Sequence, residues 1–150
     1  MRRHACGAVA AIAAIAITVS GCGSESPSAA QVRTAAQRAC TDAAHRLSRI
    51  PAPRKPSDAE AFLRRGVSVL QPEMTALDRV SPAPEQAARY TRARSATRGE
   101  VDALRSTIKG LQAGNDPAVA IKTLQQDLVP LQRQANAAWH ALGIPACADN

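Results

Sequence analysis

The chain has 150 residues, a formal net charge of +7 and only three aromatic side chains, Phe62, Tyr90 and Trp139. Few glycines and no runs of β-branched residues argue against a β-sandwich. The scattered aromatic residues argue against the stacking platforms that usually bind sugars or single-stranded nucleic acids.

The first 22 residues have the organisation of an export signal. Arg2 and Arg3 precede an apolar run over residues 6–19, which is shorter than the roughly 20 residues needed to span a bilayer as a helix. Small residues follow, and then Cys22. The sequence Val-Ser-Gly-Cys at residues 19–22 resembles the lipobox of bacterial lipoproteins. That resemblance implies cleavage before Cys22 and attachment of lipid to its thiol.

The predicted domains follow from this reading. Residues 1–21 are expected to be a lipoprotein signal peptide, residues 22–28 a flexible tether, and residues 29–150 a helical domain. The alternative is an ordinary secretory signal that is cut nearby. Loss of Arg2 and Arg3 with the signal leaves a net charge of +5. An exported basic domain favours anionic lipid headgroups or a cell-wall polymer as partners, and excludes nucleic acid.

The remaining cysteines form a pair. Cys6 leaves with the signal and Cys22 carries lipid, so Cys40 and Cys147 remain in an oxidising compartment, where a disulfide is the default. A metal thiolate site or a reactive thiol is the alternative reading.

Apolar residues spaced three and four apart predict four helices. The first is expected from about Ser28 to Ile50, where a proline-rich segment, residues 51–56, ends it. The second opens at Ser57 with Glu60 as its capping-box partner and continues through Pro72. Its expected apolar face is Phe62, Val69, Leu70, Leu77 and Val80.

The third helix is predicted from Pro84 or Glu85 to Ala113, with Gly114 as its stop. The fourth opens with Asp116 as cap and Pro117 in the first turn, and it runs to about Leu142. Inward positions expected on the third helix are Ala87, Tyr90, Ala93 or Arg94, Thr97, Val101, Leu104, Ile108 and Leu111.

Short connections between four amphipathic helices predict an all-α fold, an antiparallel up-down-up-down four-helix bundle. A bond between Cys40 and Cys147 requires the first helix to sit low in this bundle. The proline-rich segment, residues 51–56, is then expected to cover the rest of the groove.

No catalytic constellation is found, so we expect no enzyme and no cofactor. Asp42 and His45 on the first helix and His140 on the fourth are too few for a zinc or di-iron site, and we expect them at the surface. Arg89, Arg92, Arg94 and Arg98 form a run that either contacts anionic headgroups or is a solvated helix face.

The C-terminal sequence, in which Leu142 and Gly143 precede Cys147, adds a second resemblance. Together with Cys40 and the proline-rich loop, it is similar to a group of small actinobacterial lipoproteins with a lipobox and four helices rich in arginine and alanine. The resemblance implies location, fold and the cysteine pair, and it implies no function.

Two functions remain open on the sequence. The first is a non-enzymatic, membrane-anchored lipoprotein that acts in envelope interactions with a protein or an anionic polymer. The second is a carrier of a small ligand or metal with a site inside the bundle. A buried polar pocket that holds Asp42, His45 or His140 favours the second function, and a dry core without a cavity favours the first.

Overall fold

The structure, a computed structural model, describes residues 27–148. The predicted signal peptide, Cys22 and most of the tether lie outside these residues. Within them the fold is all-α, as predicted, and no strand is present. Four helices pack against one another: α1 (Ala29–Leu47), α2 (Ala59–Asp78), α3 (Pro84–Gln112) and α4 (Pro117–His140). Short 3-10 helices occupy Pro56–Asp58 and Pro145–Cys147.

The first helix begins as expected but ends earlier than predicted. At its start, Ser28 and Gln31 form a capping box, in which each side chain accepts a hydrogen bond from the other's backbone amide. At its end, the amides of Arg49 and Ile50 bond to carbonyls only three residues back. Pro51 also disfavours the helical conformation at Ile50, so the helix stops at Leu47.

The predicted capping box at the start of α2 is wrong. Ser57 lies within the 3-10 helix, and α2 begins two residues later at Ala59, so the serine is not in the capping position. Glu60 instead accepts a hydrogen bond from Gln112 on α3 at 3.0 Å and pairs with Arg64 at 3.4 Å. The bond from Gln112 ties α2 to the end of α3.

The connection between α3 and α4 follows the prediction. Gly114 has a φ of +93°, a conformation that glycine adopts without strain. The Asp116 carboxylate then accepts a hydrogen bond from the amide of Val119 at 2.9 Å and caps α4. Both α2 and α4 continue through their internal prolines, Pro72 and Pro130.

One half of the domain, the packed half, is built around Trp139 and Tyr90. The two rings meet edge to face with centroids 5.6 Å apart. The Tyr90 hydroxyl donates to the Leu77 carbonyl at 2.9 Å, and the Trp139 indole donates to the Thr97 hydroxyl at 2.8 Å. The C-terminal 3-10 helix packs against α1 here, so residues from all four helices and the tail share one core.

The other half, the open half, has a smaller core formed by three helices. Leu63, Ile108 and Leu124 are its buried residues, one from each of α2, α3 and α4. The surrounding apolar side chains are only partly buried; they are Phe62, Val67, Ala103, Leu104, Leu111, Ile121 and Leu128. Because α1 stops at Leu47, it contributes no buried residue to this core.

The proline-rich segment does not cover the groove as expected. Residues 51–57 are all exposed, although the 3-10 helix that ends the segment contacts α2 and α4. The space beyond the end of α1 is instead a cavity that Leu47 and Ile50 border. Within residues 27–148, no helix combines the length and hydropathy that crossing a bilayer requires.

Candidate functional site: a cavity with two buried carboxyl groups

A cavity of about 280 Å³ lies where the packed half meets the open half. This volume is close to the lower end of the roughly 300–1,000 Å³ typical of small-ligand pockets. Residues from all four helices, the segment after α1 and the C-terminal tail line it. They are Leu47, Ile50, Phe62, Leu63, Gly66, Leu70, Glu73, Thr97, Glu100, Val101, Leu104, Leu128, Gln132, Asn136 and Cys147.

Helical spacing places these residues on three facing stripes. On α2 the stripe is Phe62, Gly66, Leu70 and Glu73; on α3 it is Thr97, Glu100, Val101 and Leu104; on α4 it is Leu128, Gln132 and Asn136. Residues three or four apart share one face of a helix, so each stripe points into the same space. The walls are mostly apolar, and their polar groups are concentrated toward the C-terminal ends of the α2 and α4 stripes and the N-terminal end of the α3 stripe.

Glu73 is the most unusual residue of the cavity. Glu73 is only 5% exposed, and it is the one buried polar or charged residue in the part of the chain that the structure describes. Its Oε2 atom is buried and has no hydrogen-bond partner. A buried carboxyl group without a partner is costly, by several kcal/mol if it is ionised, so its retention points to a missing partner.

Glu100 faces the same cavity from α3 and is partly buried. Burial raises the pKa of each of the two carboxyl groups, Glu73 and Glu100, from 4.5 to about 7. The negative charge of Glu100 raises the pKa of Glu73 further, after burial itself. The cavity therefore contains two carboxyl groups that exchange protons near neutral pH.

No basic side chain lines this cavity, although the chain is strongly basic. Three carboxylates elsewhere do have arginine partners; among them, Asp78 pairs with Arg94 at 3.2 Å and with Arg98 at 2.9 Å. The other polar groups of the lining are neutral. Among them, Gln132 and Asn136 offer amides from α4.

Thr97 carries the only hydroxyl group of the lining, and it is already engaged. It accepts a hydrogen bond from the Trp139 indole at 2.8 Å and donates to the Ala93 carbonyl at 3.4 Å. Its side chain therefore links the cavity to the packed half. The two glutamates are the acidic groups of the lining, and Gln132 and Asn136 are its neutral amides.

Gly66 lies on the α2 wall, where a side chain would meet no atom within 4 Å. In the interior of a helix, glycine costs about 1 kcal/mol relative to alanine. No neighbouring atom requires a glycine here, so close packing does not explain it. Its effect is to leave the wall of the cavity without a side chain at that point.

A second, smaller cavity of about 110 Å³ lies on another side of Glu73. It is bordered by α1 and α2, and Asp42 and Arg46 are the charged residues of α1 that line it. Both are exposed, so solvent screens their charges from Glu73.

The structure brings the two predicted cysteines together. Cys40 on α1 and Cys147 in the C-terminal 3-10 helix are placed as a disulfide, with Cα atoms 5.0 Å apart, a separation usual for such bonds. Cys147 also borders the cavity. Cys22, the predicted site of lipidation, lies outside the described residues.

The histidines and Asp42 are not brought into one site. Asp42 and His45 are exposed on α1, where His45 Nδ1 lies 3.3 Å from Arg49, and His140 is exposed at the end of α4. Across residues 27–148, no group of three or more histidine, cysteine or acidic side chains is arranged to hold a metal ion. The cavity contains none of these three residues.

The arginine run on α3 divides into two pairs. Arg94 and Arg98 both pair with Asp78 on α2, so they stabilise the packing of these two helices. Arg89 and Arg92 are exposed.

Neither Glu73 nor Glu100 was predicted from the sequence as a site residue, although each lies within an apolar stripe at helical spacing. Glu73 lies between Leu70 and Leu77 on the predicted apolar face of the second helix. Glu100 follows Thr97 by three residues and precedes Val101 and Leu104. An acidic residue within an apolar stripe is rarely fully buried without a partner, so these two positions were candidates for a site.

Comparison of the chain with protein-family models, with curated protein sequences and with solved structures finds no match. The chemistry of the cavity is therefore the guide to function.

Proposed function

We propose that this protein is a lipid-anchored, extracytoplasmic binding protein that holds a small ligand in the cavity between α2, α3 and α4. The observation that carries the proposal is the buried, unpartnered carboxyl group of Glu73 in a cavity with otherwise mainly apolar walls. Apolar walls with a few convergent polar groups are typical of small-molecule sites. Of the two functions considered from the sequence, the carrier is the one that the cavity supports.

The proposal keeps the location expected from the N-terminal sequence. The lipobox-like residues 19–22 support export and lipid attachment at Cys22, with the domain on the outer face of the cytoplasmic membrane. Pro27, the first described residue, is five residues beyond Cys22, a span of at most about 18 Å. We propose the up-down-up-down order as the topology of the four helices beyond this tether.

Anionic headgroups are a proposed partner for the end of the domain that carries the tether. Arg38 and Arg79 border a shallow groove together with Pro27. Arginines this close to a membrane attract anionic lipids at roughly 1 kcal/mol each. A cell-wall polymer or an envelope protein remains the alternative partner for these residues.

The proposed role is binding and not catalysis. The one hydroxyl group of the cavity, on Thr97, is held between the Trp139 indole and the Ala93 carbonyl, so it is not positioned as a free nucleophile. Glu73 and Glu100 are therefore assigned to recognition.

A small neutral apolar molecule tests whether the cavity accepts a ligand. Fluorobenzene binding is measured by ¹⁹F NMR on protein carrying Cys22→Ser, which removes the proposed lipid so that no detergent competes. We expect saturable binding, an affinity at least about tenfold weaker in Gly66→Leu because the new side chain fills the cavity, and an unchanged affinity in Gly66→Ala. Absence of saturable binding, or equal binding by Gly66→Leu, contradicts the proposed function.

Cell fractionation tests the anchor. Cys22→Ser should move the protein from the membrane fraction to the medium, because the substitution removes the thiol that carries the acyl chains. A matched Ser24→Ala variant, changed within the tether, should remain in the membrane fraction. Retention of the Cys22→Ser protein in membranes contradicts lipidation at this residue.

A further inference from the structure

We propose that the ligand is an organic cation with an apolar body, whose ammonium group binds between Glu73 and Glu100. This inference depends on the proposed function, since it names the ligand class of the same cavity. It follows from the charges of the lining, from the position of those charges and from the size of the space.

The first argument is the sign of the charge. In a chain with 19 basic and 12 acidic residues, the cavity is lined by two acids and no base. Of the two, Glu73 is 5% exposed and has no hydrogen-bond partner for Oε2. A ligand ammonium group supplies the donors and the positive charge that the protein does not provide. An anionic ligand would bring a third negative charge to the same place.

The second argument is the division of the cavity into a polar and an apolar part. Glu73 and Glu100 lie toward one end of the α2 and α3 stripes. From Glu73, the α2 stripe leads back through Leu70 to Phe62, and from Glu100, the α3 stripe leads on to Leu104. A molecule with its charge at one end and an alkyl or aryl body matches this order, because its body is removed from water while its ammonium group contacts carboxylates.

The third argument is size. At roughly 30 Å³ for each water-sized group, 280 Å³ accommodates about nine or ten non-hydrogen atoms. Primary amines with an eight-carbon chain or a phenylalkyl group have this size. The amide groups of Gln132 and Asn136 on α4 provide carbonyl oxygens that can accept further hydrogen bonds from the ammonium group.

Proton exchange accompanies binding of such a ligand. Near pH 7 the raised pKa values of Glu73 and Glu100 leave both carboxyl groups partly protonated, and a bound cation favours the carboxylate form. On α4, the polar groups that share the cavity with these carboxyl groups are the neutral amides of Gln132 and Asn136. On α1 the charged neighbours of Glu73 are Asp42 and Arg46, which border the smaller cavity and are exposed. Binding should therefore release protons.

A matched ligand series tests the inference. Octylammonium, 1-octanol and octanoate share one chain, and each displaces fluorobenzene from the Cys22→Ser protein at about pH 8, where the carboxylates are ionised. We expect octylammonium to bind at least about tenfold more tightly than octanol, and octanoate to bind more weakly than either. At about pH 5 the preference for ammonium should be lost, since both carboxyl groups are then protonated.

Paired variants identify the residues responsible. In Glu73→Gln/Glu100→Gln, octylammonium and octanol should bind within about threefold of each other, with fluorobenzene binding retained. The control Glu85→Gln/Asp127→Asn has the same net charge but changes exposed residues outside the cavity, and it should keep the wild-type preference. Titration calorimetry in two buffers should detect proton release for octylammonium at about pH 7 and none for octanol.

The outcomes separate this inference from the proposed function. Equal affinities for all three octyl compounds overturn the proposal that the ligand is a cation, and they leave the cavity as a site for neutral apolar ligands. The same holds if the ammonium preference survives in the double glutamine variant. Saturable binding of Ca²⁺ or Zn²⁺ alone that excludes octylammonium assigns the carboxylates to a metal. Absence of binding by fluorobenzene and by all three octyl compounds overturns both proposals.

Discussion

The packed half and the open half use the same helices but differ in how the space between the helices is filled. In the packed half, α1 and the C-terminal tail join α2, α3 and α4, and Trp139, Tyr90 and Leu77 are essentially inaccessible to solvent. In the open half, α1 has ended and three helices surround a core of only three buried residues. Stability is concentrated where the chain supplies a fourth element, and the site lies where that element ends.

The largest expected effect compares one leucine from each half. Leu77→Ala removes a fully buried side chain from the packed half and should lower the free energy of unfolding by about 4 kcal/mol. Leu63→Ala, at the wall of the existing cavity, should cost about 2 kcal/mol because fewer contacts are lost. Chemical denaturation measures both. Equal costs, or a larger cost for Leu63→Ala, would show that the two halves are packed alike.

The next effect concerns the disulfide that joins α1 to the tail. With a sequence separation of 107 between its cysteines, the bond should contribute about 2–5 kcal/mol, so reduction should lower the melting temperature by many degrees. A Cys40→Ser/Cys147→Ser variant should show the lowered melting temperature and no response to reductant. If the wild-type melting temperature is unchanged by reductant, Cys40 and Cys147 are not bonded in the protein.

The buried carboxyl group of Glu73 in the cavity should make the free energy of unfolding depend on pH, by an amount of similar size. Unfolded Glu73 has a pKa near 4.5 and folded Glu73 one of about 7, so the folded state retains a proton over this interval that the unfolded state has lost. Stability should therefore fall as pH rises from about 4.5 to about 7, by an amount on the order of 3 kcal/mol for Glu73, and level off above that range.

The matched variants make this effect specific. Glu73→Gln should reduce the decline in stability over this pH range without abolishing it, because the neutral amide does not titrate whereas Glu100, whose pKa is also raised to about 7, still does. Glu85→Gln, at an exposed position, should leave it unchanged. The measurement is urea denaturation at successive pH values. A wild-type protein whose stability rises through the same interval would refute burial of the Glu73 carboxyl group.

The smallest effect is a gain in stability from the wall of the cavity. Gly66→Ala should raise the free energy of unfolding by up to about 1 kcal/mol, because alanine favours the helix and its Cβ meets no atom within 4 Å. Gly110→Ala should gain less, since its Cβ would lie 2.7 Å from the side chain of Asn115. Thermal unfolding compares the two variants. A loss of stability in Gly66→Ala would mean that the wall is closed at this point.

The packed half was largely predictable because its signals are local. Tyr90, Ala93 and Val101 recur at helical spacing, Ser28 marks the start of α1, and the cysteines were paired by elimination. Periodicity identifies the face of a helix that is turned inward. It does not state how well that face is covered.

The cavity was not predictable, because periodicity does not state how well an inward face is covered. Its existence depends on α1 ending at Leu47 and on the path of residues 51–57, which local propensity leaves undetermined. Glu73 and Glu100 lie on inward faces, but their shared environment is a tertiary contact between α2 and α3. Asp42, His45 and His140, which were weighed as polar candidates and expected at the surface, are exposed.

The most direct test of the account is a methyl NMR titration of the Cys22→Ser protein with octylammonium. The account predicts that shifts and intermolecular contacts concentrate on the leucines of the cavity, Leu47, Leu63, Leu70, Leu104 and Leu128, and that Leu77 and Leu142 of the packed half are unaffected. Shifts confined to surface methyl groups, or an unchanged spectrum at saturating ligand, would contradict a ligand site in the open half.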